Sequence, residues 1–277
     1  MPQIINTNIL SMTAQANLNH TQNSLATSVE RLSSGLRINS AMDDPAGLAI
    51  STRMGTQVSG MQVAIRNAND AISASQVADG TLGTVSNMLQ SMRDLAVQAA
   101  NGTNGTSDLA NLQTEFTSLA GEINRELSQT TFNGKAILGS DAGTTSYQVG
   151  ANANQSVNLV TSNLASDSSV TTVTLDTTSI AAGGSTASAM ITSIDSALST
   201  INTERAKYGA DESEFQGVIS NLQIGVTNQS AAESRIRDAD YAQETANLTR
   251  SQILQQAGTA MLAQANALPQ SVLNLLK

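Results

Sequence analysis

Residues 245–277, TANLTRSQILQQAGTAMLAQANALPQSVLNLLK, carry only two charges, Arg250 and Lys277, yet their apolar residues keep a helical spacing. Leu254, Ala257, Met261, Ala265, Leu268, Val272 and Leu275 follow one another in steps of three or four, which lines them along one side of an α-helix. A stripe of this kind needs a partner to cover it. The opposite end of the chain repeats the pattern: Ala14, Leu18, Leu25, Val29, Leu32 and Leu36 fall on a second seam, with Thr21 or Gln22 at its one missing step. Chain ends are commonly frayed and polar, so a seam at both ends predicts that they pair with each other or with other copies of the chain.

Moving inward, Met54, Val58, Met61, Ile65, Ala68 and Ile72, then Ala78, Leu82, Val85, Leu89, Met92 and Ala96, keep the same spacing and predict one long helix over about 46–100. The DDPAG at 43–47 separates it from the N-terminal seam, because Pro45 disfavours helix at Asp44 and suits the first turn of a new helix. After a turn at Asn101-Gly-Thr-Asn-Gly, Leu109, Leu112, Phe116, Leu119, Ile123 and Leu127 predict a second helix running back along the first. From 130 to about 186 charge almost vanishes and the period changes. Tyr147 and Val149, Val157 and Leu159, and Val173 and Leu175 alternate with polar residues, which predicts two or three short β-hairpins with turns at Asn133-Gly and Gly183-Gly. Helix returns at Met190, through Ile194, Leu198, Ile201, Phe215 and Ile219, and runs into the C-terminal seam. The fold class is therefore mainly α: a long antiparallel helical bundle or coiled coil formed by both chain ends, with a small β-hairpin region in the middle.

Composition narrows the function. Aromatic residues make up 2% of 277 residues and Trp is absent, which is thin for a compact core and suits slender helix packing. The net charge of −9, and the absence of Lys or Arg between Lys135 and Arg205, argue against a phosphate-tracking surface, so nucleic acid is not an expected partner. No window is apolar enough to span a bilayer, and the N-terminus has no basic region followed by an apolar block, so neither a membrane span nor a cleaved signal peptide is expected. Cysteine is absent, which removes disulfides and thiolate metal sites.

The residues that carry chemistry are sparse. His20 is the single histidine and has no accompanying ligand cluster. Asp43 and Asp44, standing before Pro45, read as helix-capping carboxylates rather than an acid–base pair. The Asn-x-Ser/Thr triplets at Asn101, Asn104, Asn154, Asn228 and Asn247 are expected by chance in a chain so rich in these residues. No enzyme activity, metal or cofactor is expected.

The runs SVERLSSGLRINSAMDDPAGLAISTRM (28–54), AIRNANDAIS and LQSMRDLAVQAANGT, with SRIRDADYAQETANLTRSQILQQAGTAMLAQANALPQSVLNLLK at the C-terminus, closely resemble bacterial flagellin over roughly 1–140 and 187–277. The resemblance implies a subunit exported unfolded by the flagellar type III apparatus that polymerises into the extracellular filament for swimming; the alternative is a hook-filament junction protein. It implies an inner terminal coiled-coil domain of 1–45 with 235–277, and a rod-like helical domain of 46–140 with 187–234. Between them, 141–186 would be a short Ser/Thr-rich β-hairpin region, with no separate large outer domain. The polymerisation seam would comprise Leu18, Leu25, Val29, Leu32, Leu36, Leu254, Ala257, Met261, Ala265, Leu268 and Val272.

The implied partners are other copies of the chain, an export chaperone at the C-terminal region, the filament cap and the hook-filament junction proteins. An animal innate immune receptor is a further implied partner, through a candidate patch of Ser91, Leu95 and Glu115. Two departures stand out. Receptor-sensed flagellins usually carry Arg where this chain has Ser91, and beyond Tyr208 relatives often read Gln-Asn-Arg where this chain has DESE at 211–214.

Overall fold

The computed structural model describes residues 7–175 and 179–275, with side chains up to Leu268. The element order is α1 (Ile9–Ser34), α2 (Pro45–Ala99), α3 (Thr106–Gln129), β1 (Thr131–Phe132), β2 (Lys135–Ala136), β3 (Thr144–Gln148), β4 (Ser156–Val160), α4 (Ser168–Thr174), α5 (Gly184–Arg237) and α6 (Tyr241–Leu275). The chain forms two compact units, one of residues 57–226 and one of residues 1–56 with 227–277; their boundaries fall within α2 and α5. The fold is mainly α with two small antiparallel sheets, β1–β2 and β3–β4.

In the 57–226 unit the long-helix seam is the core. Ala78, Leu82, Val85, Leu89, Met92 and Ala96 are all fully buried, and so are Phe116, Ile123 and Leu127 of α3 and Ile194, Ile201, Tyr208 and Phe215 of α5. Alanine at the contact points lets helices approach closely in a core with so few aromatics. Arg93 pairs with Asp195 at 2.7 Å and Arg205 with Asp79 at 2.8 Å, so this part of α5 runs antiparallel to α2. The β3–β4 hairpin lies along α2: Asn67 Nδ2 donates to the Gln148 carbonyl at 2.8 Å, and Gly60 leaves room for Ala151, whose Cβ would stand 2.9 Å from any Cβ added there. Tyr147 of β3 meets Phe215 of α5 edge-on, with ring centroids 6.0 Å apart.

Several local expectations are corrected. Val173 and Leu175 are not a strand. Asp167 caps a short helix by accepting from the Ser169 N–H at 2.9 Å, and Val170 and Val173, three residues apart, are both buried beneath it. The Thr172 and Thr174 hydroxyls bond back to carbonyls four residues earlier, which accommodates β-branched residues in a helix. Helix α5 begins at Gly184, after the left-handed Gly183, rather than at Met190. The Asn133-Gly134 turn is as expected: φ is +49° and +80°, and the two residues close the β1–β2 hairpin.

Asp44 caps α2 by accepting from the Gly47 N–H at 2.9 Å. Asp43 does not; its carboxylate accepts from the N–H groups of Ser40 and Asn39, closing the loop before the helix, and those donors hold its carboxyl below the usual range. Nor does α5 run into the C-terminal seam. It stops at Arg237, and Asp240 caps the new helix α6 by accepting from the Ala242 N–H at 2.9 Å. The break pairs with the end of α1: Gly35, at φ +72°, accepts from Ala239 at 2.9 Å, and Arg37 donates to the Arg237 carbonyl at 2.7 Å.

Candidate assembly surface

Helices α1 and α6 form an antiparallel pair in the 1–56/227–277 unit. Near one end Asn8 Nδ2 donates to the Ala265 carbonyl at 2.8 Å; near the other Arg31 Nη1 donates to Glu244 Oε1 at 3.1 Å, where the Glu244 side chain is 9% exposed. Ser11, Ala14, Leu18, Thr21, Leu25, Ser28 and Leu32 form the inward face of α1. On α6 the corresponding face is Glu244, Leu248, Ser251, Gln255, Gly258, Leu262 and Ala265. Leucines stand at 18, 25 and 32 on the α1 side, whereas the α6 side is mostly small or polar, with Leu248 and Leu262 between.

The apolar stripe read from the sequence lies elsewhere on α6. Leu254, Met261 and Leu268 are 51%, 63% and 47% exposed, and Ala257 and Ile253 are exposed beside them. Leu254, Ala257 and Met261 each immediately precede a residue of the internal seam, about 100° around the helix from it. Of the predicted seam residues, Leu18, Leu25, Leu32 and Ala265 lie inside the α1–α6 contact, and Leu36 bridges to Asp238. Val29, Leu254, Ala257, Met261 and Leu268 face out. The side chain of Val272 lies outside the described residues.

Ile9, Leu10 and Met12 add further exposed apolar surface on α1. Ala242, Thr245, Ala246, Thr249, Arg250, Ile253 and Leu254 line an open groove of about 590 Å³ on α6. On α1 the internal seam is the one read from the spacing, Ala14, Leu18, Leu25 and Leu32 with Thr21 at the missing step; on α6 it was missed because Glu244, Ser251, Gln255 and Gly258 interrupt its apolar residues, and the glycine at 258, mid-helix, was its one local signal. A second, polar groove holds His20, Ser24, Arg31, Glu244, Arg250 and Ser251. Among the described residues no group of three or more His, Cys, Asp or Glu side chains converges on a metal position.

On α2, Ser91 is exposed with its hydroxyl donating to the Asn87 carbonyl at 3.2 Å. Leu95, one turn on, is half-buried against the core, and Glu115 is exposed on α3.

A profile described as the bacterial flagellin N-terminal helical region matches residues 5–142, and one described as the C-terminal helical region matches residues 191–276. The chain is 43% identical over 280 residues to the flagellin of Halalkalibacterium halodurans, covering 99% of this chain and 100% of that one. It is 39% identical over 317 residues to the flagellin of Xenorhabdus nematophila, covering all of both. Among solved structures, Bacillus cereus flagellin is 32% identical with a TM-score of 0.51, covering 61% of this chain and 94% of that one. A putative flagellar hook-associated protein from Vibrio parahaemolyticus reaches a TM-score of 0.58, covering 71% of this chain and 100% of that one, but at 14% identity the likeness is one of fold alone.

Proposed function

The chain belongs to the bacterial flagellin family, and we infer from that membership that it is a structural subunit that polymerises into the extracellular flagellar filament for swimming motility. No helix among the described residues is long and apolar enough to cross a membrane. The observation that carries the assembly mechanism is the outward stripe of Leu254, Ala257, Met261 and Leu268, which the chain leaves uncovered while it packs another face of α6 on α1. Its occupant is the terminal helix pair of neighbouring copies, which would remove these side chains from water at about 25 cal/mol per Å² buried. The test is elongation of short filament seeds by the purified protein: growth is the expected result, and seeds that stay short would sink the reading and favour a junction role.

The finer assignments rest on the resemblance. Residues 1–45 with 235–277 are the inner domain, 46–140 with 187–234 the rod-like domain, and 141–186 the short hairpin region. Export proceeds unfolded through the flagellar type III apparatus, with a chaperone on the C-terminal region. The filament cap and the hook-filament junction proteins are further partners. An animal innate receptor would read the patch of Ser91, Leu95 and Glu115. We assign no catalytic role and no cofactor.

A further inference from the structure

The chain holds three Asn-Gly pairs, at 101–102, 104–105 and 133–134. Such a pair can modify itself. The glycine backbone nitrogen attacks the asparagine Cγ, a C–N bond forms, the proton from that nitrogen leaves with the side-chain nitrogen as ammonia, and a succinimide ring results. Water then opens the ring at either carbonyl, giving aspartate or isoaspartate. No oxidant or enzyme is needed, and glycine favours the step because no Cβ crowds the nitrogen and its backbone turns freely.

The structure gives the three pairs different freedom. At Asn104 both reacting groups are tied: Nδ2, the leaving group, donates to the Gln98 carbonyl at 2.6 Å, and the Gly105 N–H donates to Asp108 Oδ2 at 3.1 Å. At Asn133 both residues hold positive φ in a two-residue turn closed by the Phe132–Lys135 pairing, so attack requires the hairpin to open. Asn101 and Gly102 are exposed, the Gly102 N–H has no acceptor among the described residues, and open space surrounds its Cα. The Thr103 N–H donates to Asn101 Oδ1 at 3.3 Å, which polarises the side-chain carbonyl for attack at Cγ.

We propose that Asn101-Gly102 is a self-modification site, converting to aspartate or isoaspartate in the folded subunit ahead of the other two pairs. The product places a new carboxylate just past the C-terminus of α2, against the negative end of its dipole. It does so on the unit that already holds fifteen acidic and six basic residues, whereas the 1–56/227–277 unit has seven of each. An isoaspartate also inserts a methylene into the main chain of the α2–α3 turn. Conversion of the full-length protein, folded and in urea, is followed in mildly alkaline buffer by fragment-ion mass spectrometry, with isoaspartate methyltransferase labelling. In the folded protein Asn101 should convert severalfold faster than Asn104 or Asn133, and in urea the three rates should converge. Gly102→Ala, which the open surroundings admit, should slow Asn101 severalfold. Equal native rates, faster conversion at Asn104 or Asn133, or no effect of Gly102→Ala would overturn the proposal.

Discussion

The backbone of Gly258 in α6 lies against Leu18 of α1, so closely that a Cβ at 258 would stand 3.3 Å from Leu18 Cδ1. A glycine mid-helix costs about 1 kcal/mol relative to alanine, and here it is spent on letting the two helices meet. Gly258→Val adds branched bulk at that contact. We expect overpacking to cost about 1–3 kcal/mol, read as a lower melting temperature of the assembled filament; an unchanged melt would mean the α1–α6 contact is looser there.

The outward stripe gives a different phenotype. Leu254→Asp or Leu268→Asp places a carboxylate where neighbouring copies would cover it, at a cost of several kcal/mol. Neither side chain lies in the core of the 57–226 unit. Polymerisation should fail while the helices of that unit melt as in the wild type, and a mutant that assembles normally would show that the stripe faces no partner.

Tyr208 is fully buried, and burial, with the Glu204 carboxylate as the next cause, pushes its phenol up to about 12. The folded value lies above the ordinary value of about 10, so the phenol's contribution to stability is complete below about pH 10 and is lost as pH rises through about 12. Circular dichroism melts should therefore lose stability across that window. Tyr208→Phe, which cannot ionise, should flatten the loss; an identical decline in both proteins would assign it to other groups.

For the candidate receptor patch, Ser91 bonds only to its own helix, so its replacement breaks no tertiary contact. Arginine brings a planar, multiply donating group of the kind that anchors interfaces. Ser91→Arg should raise the potency of monomeric protein in receptor reporter cells roughly tenfold, about 1.4 kcal/mol. Equal potency would remove this position from the patch.

Much of the architecture was legible in the spacing of apolar residues. The α2 seam from Ala78 to Ala96 reads directly because every position on it is apolar and buried, and periodicity is a strong signal when helix and burial coincide. Pro45 and the Asn133-Gly134 pair are legible for a related reason: each restricts its own backbone, whatever surrounds it. Val173 was misread because three alternating residues suit a strand and a short capped helix equally, and only the cap at Asp167 with the cover over Val170 separates them. The stop after Arg237 was hidden because it depends on a pairing with Gly35 and Arg37, some two hundred residues away.

The same division governs the assembly surface. That α1 and α6 each carry an apolar stripe, and that Leu254, Met261 and Leu268 share a side, is readable from residue spacing, since helical geometry alone decides which residues align. Which side is covered within the chain depends on the folded contacts between the two helices. Gly258 and Ser251 let α1 approach, and Arg31 with Glu244 aligns one end of the pair, so on α6 the intrachain contact took the smaller, more polar face and left Leu254, Met261 and Leu268 to solvent, while on α1 it covers Leu18, Leu25 and Leu32. Period records what a helix can present; close approach and charge pairing at particular residues select the neighbour that receives it.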